Sequence, residues 1–483
     1  GHIAVRFEAS DRLHPLIAAL FAETPRAELV AEGTKRGIPI ASVLSPGEVL
    51  TADHFAASGA LVDAEIADGV TARVPSGYVS IDGVRAGLRS RAPRLGEHDA
   101  EPFPPREPPA LSAPWAGERP LSGLRVLDLG VIVFGAELTR LFADQGADVI
   151  KIENSAFPDG LRQTRKNSAI NASFAWGARN KRGLGLDLRS PAGRDIVREL
   201  VRTADVVTGN FKPGTLDSLG LSRVQLADLN PGIVVSDSSA FGSRGPWSES
   251  LGYGPLVRGA CGVTTLWQYC DGATVYPDHI AAHVEAVAVL AALLDRGRTG
   301  QGRSLELAQA DVAVMHLGPL LVQESLEPGS ISVERPGVHP CAGDDEWCVI
   351  DPRDHADLAK LAEVTGGVDV ATWAAERSPR EVTEILQAAG VPAAPMLRLP
   401  DQLNDPQLQA RRSFATMTHP HLSAPVPTGA RIAHFSTLAD PPLRPAPLPG
   451  EHTVEICTTL LGMDSDRIEA LVDQGVLQVP RPE

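Results

Sequence analysis

The chain has 483 residues, 43% hydrophobic and 22% charged, with a formal net charge of -16. That length buries a large core and divides into two or more domains. The negative balance argues against nucleic acid or an anionic membrane surface as a partner. Lysine is scarce, at Lys35, Lys151, Lys166, Lys181, Lys212 and Lys360, so most of the 44 basic residues are arginine, which suits phosphate and carboxylate recognition. Cys261, Cys270, Cys341, Cys348 and Cys457 form no CxxC pair and no disulfide-rich spacing, which points to a reduced compartment. No signal-peptide pattern and no run of eighteen apolar residues is present, so the expectation is a cytoplasmic protein without a membrane partner.

In residues 1–100, helical patterns run from Leu13 to Phe21 and from Ala27 to Lys35. Gly37-Ile38-Pro39 turns into Ala41-Ser42-Val43-Leu44, which reads as a strand. Residues 101–120 are proline-rich and read as a semi-rigid linker. At Leu121 the character changes. A strand at Leu124–Leu129, a helix at Phe134–Gln145 with Glu137, Arg140 and Asp144 on its polar side, and a strand at Ala147–Glu153 make a βαβ unit. Its first turn, Gly130-Val131-Ile132-Val133-Phe134-Gly135, lacks GxGxxG, which weakens a dinucleotide-redox reading. Further units follow, with helices at Ala192–Thr203 and near Leu226, and strands at Asp205–Val207 and Ile233–Ser236. In such sheets ligands lie beyond the carboxyl ends of the strands, which directs attention to Asn210-Phe211-Lys212-Pro213-Gly214.

The stretch from Tyr276 to Leu294 organises the chain. Pro277 and Asp278 read as a helix entrance, with Asp278 as N-cap. Ile280, Val284, Val287, Ala291 and Leu294 recur at helical spacing, and most intervening residues are apolar, which predicts a buried helix. A carboxylate at such a helix start is favoured by the dipole. That suits a plain cap and a nucleophile alike. His279 and His283 have a metal-compatible spacing but no evident third ligand. A strand at Arg303–Ala308 and a helix at Asp311–Val322 come next, then a Gly/Pro-rich connection at 328–343 and an α+β region. One repeat stands out. Gly37-Ile38-Pro39 is echoed by Gly390-Val391-Pro392, 353 residues on, and Ala92-Pro93-Arg94-Leu95-Gly96-Glu97-His98 by Ala446-Pro447-Leu448-Pro449-Gly450-Glu451-His452, 354 residues on.

These blocks, with NKRGLGLDLRSPAGR, ADVVTGNFKPGTLDSLGL, GYGPLVRGACGV and YPDHIAAHVEAVAVLAALLDRGRTGQG, resemble the family III CoA-transferases of the CaiB/BaiF type. The resemblance runs in family order from Leu121 to Thr453. It implies an α/β fold: a doubly wound, Rossmann-like, CoA-binding large domain at 121–329 and a small α+β domain with return segment at 330–455. A tail at 456–483 follows, and residues 1–100 look like a partial second copy of the C-terminal region. It implies that Asp278 is the nucleophile of a metal-free, ping-pong transfer of CoA from an acyl-CoA to a carboxylic acid, through an aspartyl anhydride and an aspartyl-CoA thioester. CoA is then a substrate and no cofactor is held permanently. By the same resemblance Asn210, Phe211 and Pro213 belong to the CoA site, Leu186 and Arg189 lie near the adenine and phosphates, and Tyr253 stands beside the active site. Position 154, often basic in the family, is Asn154. The glycine-rich loop of formyl-CoA transferase is not visible; Pro336-Gly337-Val338-His339-Pro340 occupies that region. The family implies a homodimer. Two alternatives are an α-methylacyl-CoA racemase, which places histidine where this chain has Tyr253, and a catalytically silent CoA-binding protein.

Overall fold

The computed structural model describes residues 8–85, 87–105, 118–164, 170–266, 275–331, 337–431 and 433–480. Lys166, Cys270, Pro336 and residues 106–117 of the proline-rich stretch lie outside them. Two compact units are present. The larger is Gly1–Ile331, Thr416–Val426 and Phe435–Glu483; the smaller is Ser332–Ala415 and Pro427–His434. The smaller is narrower than the expected 330–455, and the first hundred residues group with the larger.

Helices Ser10–Glu23 and Arg26–Lys35 form where the pattern placed them. The strand expected at Ala41–Leu44 does not form. There Leu44 N–H donates to the Gly259 carbonyl at 3.0 Å. The chain then turns into helix Pro46–Thr51, where Ser45 and Glu48 close a capping box. Helix Asp53–Ser58 precedes four strands: β1 (Leu61–Ala67), β2 (Val70–Pro75), β3 (Ser80–Ile81) and β4 (Val84–Arg85). The alternating units give β5 (Arg125–Asp128), β6 (Asp148–Glu153), β7 (Arg182–Leu186), β8 (Val206–Gly209), β9 (Val234–Ser239) and β10 (Ser304–Ala308). The single helix expected at 311–322 is two, Gln309–His316 and Gly318–Leu326, because the chain breaks at Leu317 and Pro319 opens a new first turn.

The smaller unit pairs β11 (Gly337–Pro340), β12 (Trp347–Ile350) and β13 (Ala393–Pro395) antiparallel. It packs Cys348, Ile350, Trp373, Leu386 and Val391 into its own core. The expected connection at 328–343 therefore holds a strand. Short strands β14 (Phe414–Met417) and β15 (Val426–Gly429) follow. The expected tail is structural. Helices Thr453–Leu461 and Ser465–Asp473 lead to β16 (Leu477–Gln478), and Ile456, Cys457, Ile468 and Leu477 are buried in the core of the larger unit.

The main sheet runs β16-β7-β6-β5-β8-β9-β10-β3-β4. Strands β7 to β10 are mutually parallel, while β16 and β3 add antiparallel at the two edges. The six parallel strands have the doubly wound order with its reversal between β5 and β8, where ligands bind in such sheets. Both faces are buried, as the period of two requires. Leu127, Ile150, Leu184, Val207 and Val235 pack against helix Pro191–Val201. Val126, Val149, Val206, Val234 and Leu305 pack against helices Ile132–Asp144 and Tyr276–Thr299.

Helix Tyr276–Thr299 corrects the expectation for its buried face. Of its stripe, Ile280 and Val284 are half-buried and pack against the core, whereas Val287, Ala291 and Leu294 face outward, with Val287 67% and Leu294 58% exposed. The buried face is Ala281, Ala282, Glu285, Ala288, Val289, Ala292 and Leu293. Alanines do the inner packing, because small side chains let this helix lie close to helix Ile132–Asp144 and the sheet. By length and composition alone the helix is apolar enough to cross a membrane. Its inner face instead belongs to the core of the larger unit.

Candidate active site

Asp278 is the third residue of its helix, not the cap. The N-cap is Val275, and no side chain caps this helix start. The helix begins two residues before Asp278, and the carboxylate reaches across to a neighbouring helix. Its Oδ2 accepts the Gly254 N–H at 2.8 Å, and its Oδ1 accepts Gln309 Nε2 at 3.2 Å. Gly254 opens helix Gly254–Ala260, so Asp278 satisfies an amide that has no intrahelical partner. The residue is 4% exposed. Burial raises its pKa above the usual carboxylate range, while the Gly254 N–H, Gln309 and the neighbouring His279 act in the opposite sense. Gly254 has no room for a side chain: a Cβ would lie 2.4 Å from Asp278 Oδ2 and 2.8 Å from Val275 Cα. Tyr253, the N-cap residue of that helix, is 49% exposed and adjoins the amide that holds Asp278.

His279 turns the other way. Its Nδ1 pairs with Glu137 Oε2, which raises the imidazole pKa; burial opposes this. Glu137 also meets Arg140 at 3.0 Å. Arg140 binds Asp144 at 2.9 Å, and Arg179 binds Asp144 at 2.7 Å. Glu137, Arg140 and Asp144, read in the sequence as a polar helix side, are thus buried at the core of a charge cluster. His283 Nδ1 pairs with the His279 carbonyl. Among the described residues no group of three His, Cys, Asp or Glu side chains is placed to hold a metal.

A cavity of about 340 Å³ opens beyond the carboxyl ends of β5 to β8. Leu186, Arg189 and Phe211 line it, together with Asn154, Phe157, Lys151 and Asp159. Arg189 lies over the Phe157 ring, 4.3 Å from its centre, and pairs with Asp187 at 3.0 Å. Lys151 is fully buried. Burial disfavours its charge, but Asp159 at 3.1 Å and Asp128 outweigh it and raise its pKa. Asn210 does not line the cavity. It braces the rim, accepting Val131 N–H at 2.7 Å and donating to Val131 O at 2.9 Å. The next residue, Ile132, is β-branched yet has φ of 58°, and its N–H donates to Asp159 Oδ1 at 3.1 Å. A β-branched residue in the left-handed region is strained and stays there only when its surroundings dictate it. Pro213 sits in a turn closed by Thr215 N–H on Lys212 O at 3.1 Å, and lines nothing here. Asp278 and Tyr253 are also absent from the lining. The structure therefore gathers three of the expected residues in one cavity, sets Asn210 at its rim, and places Asp278 with Tyr253 elsewhere in the same unit.

Sequence reasoning missed Gln309 and Gly254, the two groups that hold Asp278, and the Lys151–Asp159 pair. A usable signal existed for Gln309 alone, since it stands at the carboxyl end of a parallel strand.

A doubly wound α/β unit with a cavity at its switch point and a buried aspartate at a helix start defines the class. The model of CoA-transferase family III matches residues 2–99, 121–371 and 367–453, and the chain belongs to that family. The probable CoA-transferase Rv1866 of Mycobacterium tuberculosis is 44% identical over 522 residues, covering 99% of this chain; the chain spans 65% of that relative's length. The succinyl-CoA–D-citramalate CoA-transferase of Chloroflexus aurantiacus is 28% identical over 404 residues, covering 74% of this chain and 98% of the relative. A CaiB/BaiF family protein from Brucella suis matches in structure with a TM-score of 0.62 at 26% identity, covering 71% of this chain and 100% of the other.

Proposed function

We propose that this chain transfers CoA from an acyl-CoA to a carboxylic acid, with Asp278 as nucleophile. The observation that carries the reading is the Asp278 carboxylate, buried yet held at both oxygens by donors that favour its ionised form. A carboxylate oxygen attacks the thioester carbonyl, the C–S bond breaks, and CoA leaves as thiolate from a mixed anhydride. The thiolate then attacks the aspartyl carbonyl, the anhydride C–O bond breaks, and the first acid departs as its carboxylate. The acceptor carboxylate then attacks the aspartyl-CoA thioester and expels the thiolate, which attacks the acceptor's acyl carbonyl in the new anhydride; that C–O bond breaks, the new acyl-CoA leaves and Asp278 is restored as its carboxylate. N–H groups such as that of Gly254 suit the charge that develops on oxygen. The cavity lined by Leu186, Arg189 and Phe211 is assigned to the CoA nucleotide, by its place at the switch point and its cation over an aromatic ring. Incubation with a panel of acyl-CoAs and two acceptor acids, followed by intact-protein mass and product analysis, tests the reading. CoA exchange supports it. α-Proton exchange without CoA transfer, or binding without turnover, removes it.

We also infer that residues 1–100 are a second copy of the C-terminal region. Helices Arg26–Lys35 and Pro379–Ala388 are each followed by a glycine of positive φ, Gly37 at 67° and Gly390 at 79°. Helices Asp53–Ser58 and Pro406–Ala410 begin 353 residues apart, as do β1 and β14. The expected assembly is a homodimer. Light scattering at the single-chain mass of 51.0 kDa would remove it.

A further inference from the structure

Gln309 is the first residue beyond β10 and opens helix Gln309–His316. Its position is firm, because the next amide, Ala310 N–H, donates to Ala240 O at 2.9 Å. The side chain is 5% exposed. Burying an amide costs free energy unless both ends find partners. Only one end does: Nε2 reaches Asp278 Oδ1, while Oε1 has no hydrogen-bond partner among the described residues. A leucine or methionine would fill the same space without that cost. The unpaired oxygen therefore stands, as a ready acceptor, on the side chain that holds the proposed nucleophile.

We propose that Gln309 positions Asp278 through Nε2 and that its free Oε1 accepts an amide N–H from the pantetheine arm of the acyl-CoA. The assignment rests on the reading of Asp278 as nucleophile. Pantetheine supplies the chemistry Oε1 lacks: it carries amide N–H donors, and the nearer of them is two carbons from the thioester sulfur. One side chain then fixes the attacking carboxylate and registers the thioester against it, the pre-orientation that a reaction between two bound groups needs. The charged groups around Asp278 are His279, next in the chain and paired with Glu137, and Asp311, two residues beyond Gln309 and paired with Arg85 at 2.7 Å.

The test compares the full-length chain with Gln309→Met, which keeps the volume, and Gln309→Glu, which keeps the shape. Readouts are kcat, KM for acyl-CoA and for the acid, the pH profile of kcat, and the CoA adduct by intact mass. Gln309→Met is expected to lower kcat roughly ten- to hundredfold, the worth of one hydrogen bond to a charged group. It is expected to raise KM for acyl-CoA and not for the acid. Its acid limb moves to higher pH, because an ionised Asp278 has lost a donor. Gln309→Glu moves that limb further, by placing a second carboxylate there, and so decides the matter if the methionine variant folds poorly. Wild-type kcat and an unmoved limb in either folded variant would overturn the positioning role. A fall in kcat with no rise in KM for acyl-CoA would overturn the Oε1 contact. A wild-type protein that never forms a CoA adduct would instead fail the Asp278 reading itself.

Discussion

Asp278 and Glu285 stand seven residues apart on the buried face of one helix, and their surroundings divide their roles. Asp278 is met by an amide N–H and a carboxamide N–H, which only donate. Glu285 is met by the hydroxyls of Ser236 and Ser238, one on each carboxylate oxygen, and hydroxyls donate or accept. A donor-only shell favours the anion that nucleophilic attack needs. A hydroxyl shell tolerates the neutral acid, and burial, opposed by the two serines, pushes Glu285 up to about 7. Asp237, between the two serines in β9, is also pushed up to about 7 by burial and by Glu306. The same residue chemistry on the same helix thus meets donors alone at one position, as the proposed attack requires, and hydroxyls at the other.

Exchanging one carboxylate at a time breaks this comparison. Asp278→Asn has the largest expected effect: loss of at least about a thousandfold in transfer rate, since an amide cannot form the anhydride. Because Asp278 caps no turn of its own helix, the fold loses only its bond with Gly254, and the melting temperature should fall by a few degrees at most. Gly254→Ala comes next. Its methyl displaces the carboxylate or the Val275 backbone, for a loss of roughly ten- to hundredfold in kcat and about 1–3 kcal/mol in stability. Chemical denaturation alongside steady-state kinetics measures both.

Glu285→Gln should leave kcat within a few-fold and change the pH dependence of stability. A carboxyl whose folded pKa exceeds its unfolded value favours the fold while protonated. Glu285 therefore withdraws on the order of 3 kcal/mol of stability as pH rises from the ordinary value of 4.5 through about 7; the glutamine variant loses that share of the slope and keeps the share that Asp237 adds. Denaturation midpoints across that range check it. The smallest effect is that of Ser238→Ala, about 1 kcal/mol from one hydrogen bond, seen in the midpoint at pH 6 with activity unchanged.

The sequence made one half of the comparison legible. Asp278 beside Pro277 at the start of an apolar run signalled a helix entrance. The actual start, two residues earlier, was hidden because proline and aspartate each mark the first turn as well as the cap. The alternating strands were legible because βαβ units repeat a hydrophobic period of two between helical runs. The buried face of helix Tyr276–Thr299 was not. Its alanines carry a weak hydrophobic signal, while the stronger Val287 and Leu294 face outward. Glu137, Arg140 and Asp144 read as a polar side because their spacing suits a solvated face; Arg179, from another part of the chain, makes their burial tenable. Gln309 meets Asp278 across 31 residues, a contact that only the returning strand β10 creates.

As the proposed nucleophile, Asp278 becomes covalently attached to CoA during turnover. Intact-protein mass spectrometry of the wild type and Asp278→Asn, each incubated with an acyl-CoA and then digested, reads it directly. A CoA thioester adduct is expected on the wild type, mapped to the peptide containing Asp278, reversed by a carboxylic acid acceptor and missing from Asp278→Asn. An adduct of equal yield on Asp278→Asn, confirmed free of deamidation, or CoA transfer by that variant at the wild-type rate, would contradict the nucleophile assignment.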